Sequence, residues 1–146
     1  MIGGRLGLQL ASVDVLPDAE GGKGHTVFDT PTWFRPSAIR AGSPIGDRDR
    51  DLIEAVVRTF LAGSVAEARA SGFRNWAAAG FDLDAVARDW LGLLVAPGRL
   101  EERLEALNAE AEALVAEPAN WAAIQRLAQA LLARKRLTAE EAKQYS

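Results

Sequence analysis

Cysteine is absent from the 146 residues, and histidine occurs once, as His25. The first absence excludes disulfides, thiolate zinc sites and cysteine nucleophiles. The second removes any mechanism that needs two imidazoles from this chain. A basic excess is missing too. Seventeen Lys and Arg stand against 20 Asp and Glu, for a net charge of -3. No electrostatic footprint for nucleic acid results, and no DNA or RNA partner is expected. Nor does any apolar run approach the roughly 20 residues that span a bilayer, so no membrane segment is expected. The opening MIGGRLGLQLAS makes a poor signal peptide, which makes a cytoplasmic location the expectation.

What remains is an ordinary globular composition, 49% hydrophobic and 25% charged, long enough for one domain with a real core. We expect a single domain over 1–146. Heavy use of Ala and Leu tilts it toward helix. The fold class expected is mostly α, in an α+β arrangement of about five helices with a small N-terminal β-hairpin.

The hairpin is read from a change of period. Val13 and Val15 alternate with Ser12 and Asp14, and Pro17 closes the run. DAEGGKG follows as a turn and HTVFD as the second strand, with His25 at its head. A lone imidazole beside a turn reads as a surface or hydrogen-bonded residue, since a metal needs several convergent ligands. The next stretch, TPTWFRPSAIRAGSPIGDRDR, holds three prolines and no periodicity, and reads as a long connection anchored by Trp33 and Phe34.

Helices dominate from Asp51 onward. Leu52, Ile53, Val56, Val57, Phe60, Leu61 and Val65 form one apolar stripe, Asp49 and Asp51 suit its N-terminal end, and Gly72 suits its stop. Gly63, Ser64 and Ala66 are small residues that predict a close approach by another backbone or a neighbouring helix. After the loop FRNWAAAG, Asp82 is a natural N-cap for a helix burying Leu83, Val86, Trp90, Leu93 and Leu94 and ending at Pro97-Gly98. Leu100, Leu104, Leu107, Ala111 and Leu114 keep near a seven-residue repeat in the following helix, which stops before Pro118. Asn120 is the expected cap of a helix burying Trp121, Ile124, Leu127, Leu131 and Leu132. Its cationic end, Arg134-Lys135-Arg136, complements the helix dipole. Thr138 with Glu141 reads as a capping box for a short last helix.

Several of these pieces, in this order, resemble the C-terminal peptidase domain of the FtsH-type ATP-dependent zinc metalloproteases and its small stand-alone relatives. They are Leu6-Gly7-Leu8 followed by Ser12-Val13-Asp14-Val15-Leu16-Pro17 and GGKGHTVF, then Leu61 to Ala68 with its Ala66-Glu67, then Asp82-Leu83 at a helix head. The closing Trp121 to Glu141 pattern belongs with them. The resemblance implies an FtsH peptidase-like fold and peptide-bond hydrolysis on a polypeptide substrate. It implies a zinc ion held by a His-Glu-x-x-His helix, whose Glu activates the metal-bound water. It makes Asp82 the would-be third zinc ligand and puts Glu67 near the site.

The departure is equally plain: His-Glu-x-x-His occurs nowhere in the chain. The family's motif would fall just before Ile2, so the domain is expected to lack its N-terminal His-Glu-x-x-His helix, by truncation of a zinc-binding protein or, alternatively, as a relative that lost catalysis and kept the scaffold for binding. With no catalytic residue of its own, the chain as given is expected to carry no zinc and to be inactive, and whether it is an enzyme stays open. The alternative is a non-catalytic helical protein-interaction domain, a possible homo-oligomer, working through the 100–114 seam or the loop at Trp33-Phe34. A hydrolase built on His25 is the weakest option, for want of a recognisable nucleophile.

Overall fold

The computed structural model describes residues 8–17, 23–72 and 88–145. It is mostly helical, with one small antiparallel sheet. Two compact units divide the chain: Pro31–Val115 forms one, and Met1–Thr30 with Ala116–Ser146 forms the other.

In the first-named unit, the connection after Thr30 is less irregular than its prolines suggest. Pro36 starts a short helix, α1 (Pro36–Arg40), which buries Ile39. Proline tolerates this first position because its missing N–H would have no helical partner there. Helix α2 (Asp47–Ser71) begins four residues before Asp51, because Asp49 accepts a 3.0 Å hydrogen bond from the Gly46 N–H and satisfies the open first turn. It ends as expected at Gly72, whose φ of 69° is the left-handed cap that glycine adopts without strain.

The buried line of α2 is Ile53, Val57 and Leu61, flanked by Ala55, Ala62 and Ser64. Phe60 departs from the expected stripe and is 41% exposed. Three residues beyond Val57 and seven beyond Ile53, Phe60 lies at the edge of that face. Gly63 departs as well: among the described residues, nothing comes within 4 Å of where its Cβ would be. Close packing falls instead on its buried neighbours Ala62 and Ser64.

Residues 88–91 are helical, and the chain then tightens into turns. Leu93 and Leu94 donate three residues back, to the Trp90 and Leu91 carbonyls. The expected helix to Pro97 therefore ends at 91. Leu91 is fully buried, while Leu93 and Leu94 are only half-buried. A 3₁₀ turn (Pro97–Arg99) leads into α3 (Leu100–Ala116), whose buried residues Leu107, Ala111 and Val115 are spaced by four. Leu100, Leu104 and Leu114 of the expected seam are half-buried at its edge. The Arg69 guanidinium ties the two long helices by donating to the Val115 carbonyl at 2.7 Å.

The other unit is built on the sheet. Strand β1 (Gln9–Pro17) lies between β2 (Lys23–Asp29) and β3 (Arg136–Thr138), antiparallel to both. The β1–β2 hairpin is the one expected. The third strand is not legible in advance, since three residues carry no period. Its register sets Val13 opposite Leu137. Helix α4 (Pro118–Arg134) precedes β3, and α5 (Ala139–Lys143) follows it. Val13, Leu131, Leu137 and Ala142 form the core here, with Leu10, Leu127, Ala130 and Tyr145 packed against it.

Two expectations for α4 are corrected. Asn120 is not its cap: Pro118 occupies the first turn with its fixed φ, and Glu117 precedes it as the N-cap. Asn120 is buried inside that turn, its amide donating to the Glu117 carboxylate at 2.7 Å. Leu132 lies outside the buried face and is 66% exposed, because Leu131, next to it on the helix, is the residue that faces the cluster. The basic triplet is divided as well. Arg134 ends α4 and pairs with Glu141, Lys135 turns the chain at φ 67°, and Arg136 opens β3. The capping box at Thr138 is present as expected.

Candidate functional site

Asp82, the would-be zinc ligand, lies outside the described residues, as do Leu83 and Val86. Its approach is described on one side only: α2 carries Leu61 to Ala68 on an unbroken helix that closes at Gly72, ten positions before it. Glu67 is exposed there, and its backbone carbonyl accepts from Ser71 at 2.7 Å. His25 falls opposite Asp14 in the β1–β2 register. Among the described residues, no three of His, Cys, Asp and Glu gather closely enough to hold a metal ion.

Trp33 and Phe34 do anchor the long connection. Phe34 lies 5.5 Å from Trp90 between ring centroids, and Trp33 meets Phe34 edge-on at 6.0 Å. Arg40 covers the Trp90 ring at 4.9 Å while its guanidinium reaches Asp89, and Arg48 covers Trp33 at 4.2 Å. Each cation sits on the negative face of an indole, a contact worth about 0.5–1 kcal/mol at such exposure. Both indoles are spent on packing.

An ion-pair cluster with little signature in the sequence joins α2 to α3. Glu54, with its side chain 16% exposed, holds Arg58 at 3.0 Å along α2 and Arg103 across from α3. Arg58 also reaches Glu110. The bond from Glu54 raises the pKa of Arg103 further, with burial working against it. One carboxylate between two guanidiniums is a clamp between helices, each of its oxygens accepting from one of them. Its only advance signal was that Glu54 and Arg58 stand four apart.

Beside the clamp lies a depression of about 330 Å³, lined by Val95, Ala96, Arg99, Glu102, Arg103 and Ala106. Its charges satisfy one another. Arg99 donates twice to Glu102, at 2.9 and 3.1 Å, which lowers the Glu102 pKa through the hydrogen bonds and the adjacent charge. It holds no nucleophile and no base in need of a proton. No helix among the described residues is long and apolar enough to cross a membrane. Neither family models, curated proteins nor solved structures yield a match to the chain.

Proposed function

We propose that this chain is an FtsH-type metallopeptidase-like scaffold whose own residues do not hydrolyse peptides, with hydrolysis belonging to a form that carries a His-Glu-x-x-His helix. The observation that supports this reading is the order of elements: a hairpin whose first strand ends at Pro17, one long helix bearing Leu61 to Ala68, and a closing helix pair ending in the Thr138–Glu141 box. The family's pieces follow the same order. Catalysis needs at least three convergent protein ligands for zinc, and a single Asp82 supplies one.

The test is elemental analysis of the purified chain after equilibration with zinc and removal of free metal. Substoichiometric zinc, unchanged by Asp82→Ala, is expected. One zinc per chain, lost on that substitution, would overturn the inactive assignment.

A helical interaction domain is the second reading, favoured by Leu132 at 66% exposure on α4. The 100–114 seam and the Trp33–Phe34 loop are less available, since Leu107 and Ala111 are fully buried within the chain, Phe34 packs on Trp90 and Trp33 packs on Phe34. Leu132→Ser with unchanged solubility and unchanged retention on a hydrophobic column would remove its support.

A further inference from the structure

The depression beside the clamp is built almost entirely from one short stretch of chain. Arg99, Glu102, Arg103 and Ala106 step by three and four along the 3₁₀ turn and the start of α3, so they share one face. Val95 and Ala96, from the chain just before Pro97, complete the lining. At about 330 Å³ it falls at the lower end of the roughly 300–1,000 Å³ of small-molecule sites. Val95, Ala96 and Ala106 offer apolar surface, and the three charged residues offer orientation.

That lining holds two guanidiniums and one carboxylate, a balance that favours an anion. Neither guanidinium is fully used. Arg103, with its side chain 33% exposed, donates from Nη2 to Glu54, and its Nε and Nη1 make no hydrogen bond among the described residues. Arg99 donates from Nε and Nη2 to Glu102 and keeps Nη1. Both members of the Arg99–Glu102 pair are about 70% exposed, so water screens it, and a second carboxylate displaces Glu102 at little cost. A guanidinium meets a carboxylate with two parallel N–H bonds, which gives direction as well as charge.

We propose that the depression binds a small monocarboxylate with a short aliphatic body, the carboxylate on Arg99 and Arg103 and the body on Val95, Ala96 and Ala106. Glu102 is then an internal competitor that holds Arg99 until the acid arrives. The site binds without a chemical step, and it is independent of the metallopeptidase reading. With few contacts and an open face, its Kd is about 0.1–5 mM.

NMR titration of the isotope-labelled chain with isocaproate, to about 20 mM at constant ionic strength, tests this. Saturable shifts are expected at the amides of Ala96, Glu102, Arg103 and Ala106, while those of Leu114 and Val115, two turns further along α3, stay in place. Isocaproamide, which has the same shape without the charge, is expected to bind at least about tenfold more weakly. Arg99→Gln is expected to raise Kd about five- to tenfold. Glu102→Gln is expected to lower it about two- to fivefold, since it removes both the competing charge and the hold on Arg99. Ala106→Phe fills the depression and is expected to abolish binding. All three positions are exposed, so circular dichroism should be unchanged in each variant. No saturable shift, or equal binding of acid and amide, would overturn the proposal. So would Arg99→Gln without weakening, Glu102→Gln without tightening, or full binding by Ala106→Phe.

Discussion

The two units are held together by different physics. In Pro31–Val115, neighbouring turns of long helices bury Ile53, Val57, Leu61, Leu107 and Ala111, and charged side chains fasten α2 to α3. In the sheet unit, the core residue Val13 meets Leu137, from the far end of the chain, on an adjacent strand. The first kind of contact follows from local periodicity. The second costs a large loop closure before any contact repays it. The sheet unit should therefore be the more sensitive to loss of one apolar side chain, and the helical unit to loss of one charge.

Leu137→Ala is the most direct way to break that comparison. The side chain is fully buried in a small cluster, so its loss should cost about 2–4 kcal/mol in denaturant unfolding. Hydrogen exchange should show the amides of β1 and α5 losing protection before those of α2. Equal loss in both would mean that the sheet core has no separate vulnerability.

In the helical unit, Glu54→Ala removes the carboxylate between Arg58 and Arg103, leaving Arg103 without that partner and Arg58 with Glu110 alone. A loss of about 1–3 kcal/mol is expected. The control Glu102→Gln breaks an exposed pair and should leave the unfolding midpoint unchanged.

The cap of α5 gives the sheet unit a pH signature. The Thr138 backbone N–H, at 2.9 Å, and its hydroxyl hold the Glu141 carboxyl below the usual range, with Arg134 adding to the effect and desolvation opposing it. A lowered folded pKa means stability present above the unfolded value, about 4.3, and lost as pH falls through the folded value. Carboxyl NMR shifts should thus place the Glu141 midpoint below that of a random-coil Glu. Thr138→Ala should move it back up and cost about 1 kcal/mol at neutral pH.

The smallest expected effects are gains. Gly63→Ala fills open space on α2 and should stabilise by about 0.5–1 kcal/mol. Lys135→Gly relieves a left-handed residue after α4 and should gain several tenths of a kcal/mol. A destabilising Gly63→Ala would show that something does pack closely there.

The same contrast explains what was legible. The α2 stop at Gly72, the Thr138–Glu141 box and the hairpin were readable because each depends on residues close in sequence. β3 was not, because its three residues form a strand only by pairing with β1. Leu132 and Phe60 were misjudged at the margin of an apolar stripe, where a step of one residue turns a helix by about 100°. The role of Glu54 has little signature in the sequence, since its second partner, Arg103, comes from another helix. Of the candidate site, the missing His-Glu-x-x-His was evident from the sequence alone, whereas Asp82 lies outside the described residues.

The central claim, a metallopeptidase-like scaffold short of its histidines, is tested most directly by supplying them. A helix carrying His-Glu-x-x-His is fused in frame ahead of Ile2, and bound zinc is measured in the folded product. About one zinc per chain is predicted. It should be lost on Asp82→Ala and retained on the control Asp47→Ala, at the start of α2. A folded fusion that binds no zinc, or one that keeps it without Asp82, would contradict the account.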